Sequence, residues 1–345
     1  MTGHPLPFVT IAIPVLNEAR YIRACIESLL VQAPFDTFEI LILDGGSTDG
    51  TVDIAAAMAA DHACIRVVHN PKRLQSAAIN LAARVAAPES TVILRADAHS
   101  VYPLNYLRDC VTALTSTGAT SVVVPMRTVG QRGFQKAVAA AQNSRLGNGG
   151  SPHRVGGCSR FVDHGHHAAF DRQFFMAVGG YNDAFTPNED AEHDCRAIQA
   201  GGRIWMCVEA TVTYFPRRDP LSLARQYFRH GGARARTLLA HRIRPKLRQL
   251  ASLIILTGCA AGLALAPANP VTALFPVLYA ASCLTWGSVA AIRDRDPWLL
   301  AMGPAAMIMH LSWGAGFLRT CLIHAVTAGR IGLARRVTPP AVTSD

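Results

Sequence analysis

The sequence has 345 residues, enough for one large domain with a smaller appendage or for two modest domains. Half of the residues are apolar and only 16% are charged, which is little charge for a soluble protein. The net charge of +10 is concentrated between Arg217 and Arg248, but no basic motif interleaved with aromatic residues accompanies it, so we expect no nucleic acid as a partner.

The apolar residues are unevenly distributed along the chain. Residues 1–215 have the composition of a globular α/β protein, whereas residues 250–327 are almost free of charge. A break this sharp usually separates a soluble domain from membrane-embedded segments. We therefore predict a soluble domain over 1–216, a basic amphipathic juxtamembrane segment over 217–249, about three transmembrane helices over 250–327 and a tail over 328–345.

Cysteine usage and charge indicate the compartment. The nine cysteines stand singly, without a CxxC pair or metal-type spacing, which suits a reducing compartment. Met1–Phe8 lacks the basic region and long apolar core of a signal peptide, so we expect the soluble domain to stay in the cytoplasm. A run of basic residues usually forms a solvated face of the protein. The basic run between Arg217 and Arg248 comes just before the apolar stretches, which favours a segment facing anionic lipid.

Short apolar runs alternate with helical patterns in the first half of the chain. The first run is followed by a helical pattern for which Asn17 is a cap candidate. Runs without polar alternation, separated by helices, predict an α/β fold with a mostly parallel central sheet flanked by helices. The predicted strands are Phe8–Val15, Phe38–Leu43, Ile65–His69, Thr91–Leu94 and Ser121–Val124.

The second half is less regular at first and then becomes apolar. A helix from about Asp190 to Ala200 and a strand region from Arg203 to Phe215 precede the basic segment. Three apolar stretches follow, and each could span a hydrocarbon core about 30 Å thick. Because the first is short and Gly303-Pro304 interrupts the third, two, three or four crossings fit; a soluble helical domain is the alternative. The stretches are Leu250–Ala266, Val271–Ile292 and Trp298–Val326.

Polar residues gather in the loops after the first, second and fourth predicted strands, where ligands bind in parallel sheets. Asp44 ends a buried strand and is followed by Gly45-Gly46, which lets another group approach the backbone closely. Its carboxylate could accept hydrogen bonds from a base or a ribose. The same segment also fits an ordinary turn with a helix cap.

Asp97 and His99 stand two residues apart after the fourth predicted strand. Both side chains could reach one divalent cation, and a carboxylate with an imidazole suits Mn²⁺ or Mg²⁺ on a diphosphate. Such a metal would act as a Lewis acid. A plain polar turn is the alternative.

Two further motifs lie in the second half. Asn188-Glu189-Asp190 opens a predicted helix, where the helix dipole favours acids and would keep Asp190 ionised, ready to remove a proton from a hydroxyl group. Gln226, Arg229 and His230 share one helical face and could close over a diphosphate or a sugar, or contact lipid headgroups instead.

Taken in order, these motifs resemble those of the family 2 glycosyltransferases, which have the GT-A fold. The resemblance covers roughly residues 8–235. In Asp97-Ala98-His99 the histidine departs from the family's Asp-x-Asp but still offers a metal ligand. Gln226–His230 is similar to Gln-x-x-Arg-Trp, and its histidine argues against processive synthesis. The other matching segments are Ile13–Glu18, Leu43–Thr51, Gly179-Gly180-Tyr181, Glu189–Glu192 and Arg196.

The resemblance implies an inverting, metal-dependent glycosyltransferase that uses a nucleoside-diphosphate sugar. Asp190 would be the general base, and Asp97 with His99 would hold Mn²⁺ or Mg²⁺. One base without a protein nucleophile implies inversion. The residues implied to hold the donor are Pro14, Val15, Asn17, Glu18, Asp44, Gly46, Ser47 and Asp97, and those implied at the acceptor or the diphosphate are Glu189, Gln226, Arg229 and His230.

Within the family, the Asp-Ala-His triplet and the short C-terminal membrane segment most resemble the bacterial exopolysaccharide glycosyltransferases of the succinoglycan type. That resemblance implies a multi-pass protein of the inner membrane. It also implies transfer of glucose from UDP-glucose to a polyprenyl-diphosphate-linked saccharide.

Other interpretations remain. A membrane-bound nucleotidyltransferase would release pyrophosphate instead of nucleoside diphosphate. The intact Glu189-Asp190 pair disfavours a non-catalytic partner that binds nucleotide sugar at the membrane, and the absence of GxGxxG after the first predicted strand disfavours a dehydrogenase. His164, His166 and His167 fit satisfied loop residues, a further metal ligand or an acceptor contact.

Overall fold

The computed structural model describes residues 7–32, 38–100, 102–149 and 157–337, so residues 338–345 of the predicted tail lie outside it. Within the described ranges the chain forms an eight-stranded sheet and a separate pair of strands. The strands are β1 Phe8–Val15, β2 Phe38–Asp44, β3 Ile65–His69, β4 Ser90–Arg95, β5 Ser121–Val124, β6 Met126–Thr128, β7 Arg160–Val162, β8 His166–Asp171, β9 Ile204–Met206 and β10 Val212–Tyr214.

The large sheet is parallel on one side and mixed on the other. β1 lies between β2 and β4, and β3 pairs with β2, all in parallel. β8 runs antiparallel between β4 and β5, and β7 runs antiparallel to β9 at the far edge. The strand order is β3-β2-β1-β4-β8-β5-β9-β7, while β6 and β10 form the separate parallel pair. The predicted mostly parallel sheet is confirmed.

Helices cover both faces of the sheet and then continue into the apolar C-terminal part of the chain. Single 3₁₀ turns precede the last two helices. In the described ranges the α-helices are α1 Ile22–Leu30, α2 Thr51–Asp61, α3 Gln75–Val85, α4 Tyr106–Thr117, α5 Phe134–Asn143, α6 Arg145–Asn148, α7 Arg172–Ala177, α8 Glu189–Gln199, α9 Pro220–Ala240, α10 Leu247–Leu265, α11 Leu274–Asp294 and α12 Met302–Val337.

The central strands are buried on both faces, which explains their continuous apolar sequences. Successive side chains of a strand point to opposite faces of the sheet. Ile11 and Ile13 of β1 therefore pack in one layer, with residues of α1 and α4, whereas Ala12 packs in the other layer, with residues of α3.

Three local features differ from the sequence-based expectation. α1 begins at Ile22 with Tyr21 at its N-cap and no side-chain cap, so Asn17 does not cap it. The region 203–215 forms two short strands, β9 and β10, which belong to different sheets. Gly303-Pro304 does not interrupt the last helix, because it lies in the first turn of α12, where a backbone N–H needs no helical partner.

Two C-terminal helical segments, Pro270–Asp294 and Pro297–Thr327, are long and apolar enough to cross a membrane. A third apolar helix, Gln249–Leu265, is shorter. Many of their large apolar side chains point outward, and Ile292, for example, is 78% exposed. A large exposed apolar surface is unfavourable in water, so these helices indicate association with a membrane.

Close backbone contact joins α9 to α12. Gly231 of α9 lies so near α12 that a Cβ atom there would overlap the carbonyl oxygen of Trp313. Gly316 of α12 meets the carbonyl oxygen of Phe228 in the same way. The two helices can approach this closely only because these positions lack side chains.

Replacing Gly231 with alanine should weaken the contact between α9 and α12. The new methyl group would overlap backbone that cannot rotate away, and overpacking of this kind costs about 1–3 kcal/mol. Gly232→Ala is the milder matched variant, since its Cβ would lie 3.0 Å from Thr320 Oγ1, which can move, and 3.3 Å from the carbonyl oxygen of Gly316, compared with the direct overlap with that of Trp313 at Gly231. We expect the Tm of detergent-purified Gly231→Ala protein to fall clearly below that of Gly232→Ala. Equal Tm values would contradict the close contact.

Candidate active site

The loops after β1 and β2 are tied together by reciprocal hydrogen bonds. The backbone N–H of Asn17 donates to Ser47 Oγ at 2.9 Å, and the N–H of Thr48 donates to Asn17 Oδ1 at 2.9 Å. The N–H of Glu18 donates to Thr51 Oγ1 at 2.8 Å. Asn17 is thus engaged with the second loop instead of with helix α1. The two loops form one rim at the carboxyl ends of adjacent parallel strands.

Asp44 ends β2 and stabilises the turn that follows. Its carboxylate accepts hydrogen bonds from the N–H groups of Gly46 at 2.8 Å and Ser47 at 3.1 Å. Gly46 has a φ of +85°, in the left-handed region that favours glycine. Pro14 and Val15 lie at the end of β1, next to the end of β2. The turn interpretation describes this geometry, and nucleoside binding by these residues stays a prediction.

The loop after β4 joins the same rim. His99 Nδ1 lies 3.0 Å from Glu18 Oε1, and this hydrogen bond raises the pKa of His99 although burial opposes it. Asp97 Oδ1 accepts a hydrogen bond from Gln75 Nε2 at 2.7 Å. Predicted donor-side residues from three separate loops therefore follow one another along one edge of the sheet.

The guanidinium group of Arg95 connects Asp97 to Asp190. Arg95 is only 5% exposed; its Nε lies 3.2 Å from Asp97 Oδ1, and its Nη1 lies 2.9 Å from Asp190 Oδ1. Burial opposes ionisation of Asp97, but Arg95 together with His166 and His99 lowers the pKa of that carboxyl group. The predicted metal ligand and the predicted base therefore share one buried cation.

Asp190 lies in the first turn of α8, and one of its oxygens is held from three sides. Oδ1 accepts from Arg95 and from Tyr181 Oη at 2.9 Å, and it lies 3.4 Å from His167 Nδ1. Burial opposes ionisation, but Arg95 and His167 hold the pKa of Asp190 well below its usual value. The side chain remains 18% exposed, so a hydroxyl group can reach it. At the neighbouring Glu189, burial and the charge of Asp190 raise the pKa instead.

A buried chain of hydrogen bonds lies behind Asp190. His167 Nε2 is 2.7 Å from Asp194 Oδ1, and His167 Nδ1 is 2.7 Å from Tyr181 Oη. Burial disfavours a charged imidazole, but Asp194 and Asp190 outweigh it and raise the pKa of His167 to about 10. Asn80 Oδ1 accepts from the N–H of Tyr181 at 2.7 Å and fixes the tyrosine in place. The chain thus presents a cation and a hydroxyl group to Asp190.

His166 lies between Asp97 and Asp190. Its Nε2 is 3.7 Å from Asp97 Oδ2, and its Nδ1 is 3.8 Å from Asp190 Oδ2. Burial and the nearby Arg95 lower the pKa of His166 to about 4. A neutral imidazole in this position can ligate a metal or bond to a hydroxyl group. The expectation that these histidines lie in a loop is wrong for His166 and His167, which begin β8.

A buried cluster formed by His167, His193 and Asp194 has ligand atoms within 4.8 Å of one another, close enough to hold a metal ion. It does not include the pair of metal ligands predicted from the sequence. An ion would have to displace the hydrogen bond between His167 and Asp194. Burial and the charge of His167 lower the pKa of His193 to about 3, and its ring packs 5.0 Å from that of Phe175. This cluster therefore fits a buried structural support beneath the site better than a catalytic metal centre.

The residues predicted on α9 do not all reach the same place. A cavity of about 560 Å³, here called the interface cavity, is lined by α9, by the segment around Arg145 and by the apolar helices α10, α11 and α12. Gln226 and His230 line it, whereas Arg229 is exposed outside the lining. The three side chains were expected to share one face of the helix, but two of them line the cavity and the third faces solvent.

Several residues at the site received no role from the sequence. Arg95 and Tyr181 stand within or beside segments that match the family, which was a usable signal. His167 was left open, and Asp194 was not singled out. The contact between Arg95 and Asp190 joins residues 95 positions apart, so no local pattern could reveal it.

Comparisons with known proteins show the family to which the chain belongs. The profile of Glycosyl transferase family 2 matches residues 10–179. The chain is also 45% identical over 312 residues to the succinoglycan biosynthesis protein ExoA of Rhizobium meliloti strain 1021, covering 90% of this chain and 94% of that protein. The chain is therefore a glycosyltransferase. It belongs to glycosyl transferase family 2.

Solved structures share the fold. The mannosyltransferase PcManGT from Pyrobaculum calidifontis, in complex with GDP-Man and Mn²⁺, has a TM-score of 0.59 at 19% identity and covers 92% of this chain and 87% of its own. GalNAc-T7 with UDP, GalNAc and Mn²⁺ has a TM-score of 0.50 at 14% identity, with 70% and 55% covered. At these identities the likeness shows the fold alone, and the predicted GT-A fold is confirmed.

Replacing His167 with glutamine should shift the pH dependence of activity. If ionised Asp190 is the base, the rate falls as the pH drops through its pKa, which His167 helps to hold low. Removing that cation raises the pKa of Asp190, so the acid limb of kcat/KM should move to higher pH. His62→Gln, at an exposed histidine, is the control. An unmoved acid limb in His167→Gln would rule out this electrostatic coupling.

Proposed function

We propose that this glycosyltransferase transfers glucose from UDP-glucose to a polyprenyl-diphosphate-linked saccharide in exopolysaccharide synthesis, with inversion at the anomeric carbon. Residues 1–216 would form a cytoplasmic catalytic domain, 217–249 a basic segment at the surface of the inner membrane, and 250–327 a multi-pass anchor. The observation that carries the catalytic proposal is the Arg95 bridge between Asp97 and Asp190.

The bridge supports a shared site for donor and acceptor. Asp97 lies in the loop after β4, next to the rim formed by the loops after β1 and β2, where a nucleotide would bind. Asp190 comes from the first turn of α8 and is held by the same guanidinium group. A sugar nucleotide along the rim would therefore present its anomeric carbon near Asp190.

Asp190 is suited to act as the general base. Its Oδ1 is fixed by Arg95 and Tyr181, which leaves Oδ2 to take the proton from the acceptor hydroxyl group. As the oxygen of the acceptor hydroxyl group bonds to the anomeric carbon, the bond from this carbon to the diphosphate oxygen breaks on the opposite face. The nucleoside diphosphate leaves with the bonding electron pair. A single displacement of this kind inverts the anomeric carbon.

The residues at the end of β4 fit a divalent cation. Asp97 Oδ1 is engaged by Arg95, while Oδ2 faces His166 Nε2 at 3.7 Å. His99 uses Nδ1 for its contact with Glu18, which leaves Nε2 for a ligand bond. One carboxylate oxygen with one or two imidazoles suits Mn²⁺ or Mg²⁺, which when bound would neutralise charge on the departing diphosphate. The Mn²⁺ in both solved structures named above supports this assignment.

The role in exopolysaccharide synthesis is supported by the relative, and the membrane placement by the C-terminal helices. ExoA is named as a protein of succinoglycan biosynthesis, which supports exopolysaccharide synthesis here. Lys246, just before α10, pairs with Asp163, and Lys136 Nζ lies 2.7 Å from Asp296 Oδ2 in the turn between α11 and α12. The pair of Lys136 and Asp296 would then hold the turn between the two long apolar helices, α11 and α12, against the catalytic domain.

Asp190→Asn should abolish sugar transfer while donor binding persists. The amide keeps the shape of the side chain but cannot accept the proton, and loss of a general base typically lowers kcat by about 10²–10⁴-fold. Transfer would be followed with radiolabelled UDP-glucose and a membrane lipid extract, and donor binding by calorimetry. Asp53→Asn, at an exposed acid on α2, serves as the control. Retained turnover would assign the base elsewhere, and release of pyrophosphate instead of UDP would favour a nucleotidyltransferase.

Removing divalent metal should stop the reaction. We expect EDTA to abolish transfer by the wild-type protein and Mn²⁺ or Mg²⁺ to restore it. His99→Ala should raise the metal concentration needed for half-maximal activity by about tenfold or more, since it removes a ligand. His62→Ala controls for loss of an exposed imidazole. Wild-type activity that is indifferent to EDTA would contradict the metal proposal.

A further inference from the structure

Helix α3 begins at the edge of the sheet where the proposed site lies. β3 ends at His69 and α3 begins at Gln75, so the first turn of α3 lies beyond the carboxyl end of a parallel strand. The helix packs over β1, where Ala78 and Ile79 share a buried layer with Ala12. Because β4 pairs with β1, the first residue of α3 can reach the loop that follows β4.

Hydrogen bonds on both sides fix the first turn of α3. Before the helix, Asn70 is buried, and its Nδ2 donates to the carbonyl oxygen of Leu74 at 2.9 Å. Within the helix, Ser76 is fully buried, and its Oγ donates to Asp183 Oδ1 at 2.9 Å. The backbone that carries the side chain of Gln75 is therefore anchored at its neighbours.

The side chain of Gln75 bonds to Asp97. Its Nε2 donates to Asp97 Oδ1 at 2.7 Å, whereas Arg95 Nε lies 3.2 Å from the same oxygen. An ionised carboxylate can only accept hydrogen bonds, so a glutamine at this place has to present its amide NH₂ group. A hydrogen bond to a charged acceptor is also stronger than one between neutral groups. Asp97 Oδ1 is thus held from two directions.

The main chain of Asp97 is held separately, by Tyr102. The N–H of Asp97 donates to Tyr102 Oη, and Tyr102 Oη donates to the carbonyl oxygen of Asp97 at 3.1 Å. These bonds leave the rotation of the carboxylate group open, because the terminal torsion of aspartate is broad. Gln75 and Arg95 fix that rotation through Oδ1. Oδ2 lies 3.7 Å from His166 Nε2, beyond hydrogen-bond distance, so a ligand can bind Oδ2 without breaking the bonds of Oδ1.

We propose that Gln75 is a positioning residue for the sugar nucleotide: by holding Asp97 Oδ1, it directs Asp97 Oδ2 towards the divalent cation on the diphosphate. The role of Asp97 as a ligand of that cation rests on the proposed function. Hydrogen-bond partners of metal ligands orient them, and loss of such a partner typically weakens metal binding by about 10–100-fold. Gln75 therefore acts on the reaction through Asp97.

The test measures the Kd of UDP for the full-length protein in detergent, once with Mn²⁺ and once with EDTA. Gln75→Leu keeps a side chain of similar size and removes the hydrogen-bond donor. With Mn²⁺, its Kd should exceed that of the wild type by about tenfold or more, because a misplaced Asp97 Oδ2 binds the cation poorly. With EDTA the two Kd values should agree, since the hydrogen bonds that join the loops after β1 and β2 do not involve Gln75.

A matched variant controls for the chemical change. Gln131→Leu, at an exposed glutamine before α5, should bind UDP as the wild type does in both conditions. Equal Kd values for Gln75→Leu and the wild type in Mn²⁺ would overturn the proposal. An equal rise of the Kd in both conditions would overturn it too, because Gln75 would then support the rim or the fold instead of the orientation of Asp97.

The same measurements separate this inference from the proposed function. If Mn²⁺ tightens UDP binding equally in the wild type and in Gln75→Leu, the proposed cation stands and the role of Gln75 fails. If Gln75→Leu loses the effect of Mn²⁺ but the wild type transfers no glucose from UDP-glucose, the role of Gln75 stands and the proposed donor is wrong. If Mn²⁺ has no effect on wild-type binding, the proposed cation and the role of Gln75 fail together.

GDP and dTDP are measured in the same series. If one of them binds the wild type more tightly than UDP does, it takes the place of UDP in the comparison. That result would correct the nucleotide of the proposed donor, and the difference between Gln75→Leu and the wild type in Mn²⁺ would still decide the role of Gln75.

Discussion

The site depends on one buried charge, the guanidinium group of Arg95. An unpaired ion inside a protein costs several kcal/mol of lost hydration, and Arg95 avoids this because Asp97 and Asp190 flank it at 3.2 and 2.9 Å. The pairing works in both directions, since the cation also favours the ionised form of each carboxyl group. Breaking a buried pair typically costs about 3–5 kcal/mol, so the position of Arg95 at the end of β4 constrains both halves of the site.

The two halves are held by different means. In the rim after β1 and β2, backbone N–H groups bond to side chains of the neighbouring loop, as between Asn17 and Ser47, so the rim is fixed by the strands that carry it. Around the proposed base, side chains bond to side chains, from Asp194 through His167 and Tyr181 to Asp190. A network of this kind orients the proposed base and sets its charge, and its members depend on one another.

Local patterns in the sequence predicted those strands whose formation depends mainly on their own residues. β1 and β5 occupy the residues predicted for them, because each is a continuous apolar run bounded by turn residues. β8 was missed because it begins with His166 and His167, whose burial is tolerated only through partners far along the chain, including Asp194. The metal and base candidates were found as motifs, but Arg95, which brings Asp97 and Asp190 together, acts across 95 residues and left no periodic signal.

The rotation of α9 about its axis is a second feature that sequence periodicity could not predict. It determines which side chains of α9 face the apolar helices. The contact at Gly231 fixes how α9 faces α12, and in that orientation Gln226 lines the interface cavity while Arg229 does not. Asn188 bonds to Thr237 of the same helix, so the loop before the proposed base rests on α9. The rim formed by the loops after β1 and β2 is built on the sheet alone, whereas the interface cavity takes one wall from the apolar helices. Separating residues 1–216 from those helices would therefore leave the rim intact and remove one wall of the interface cavity.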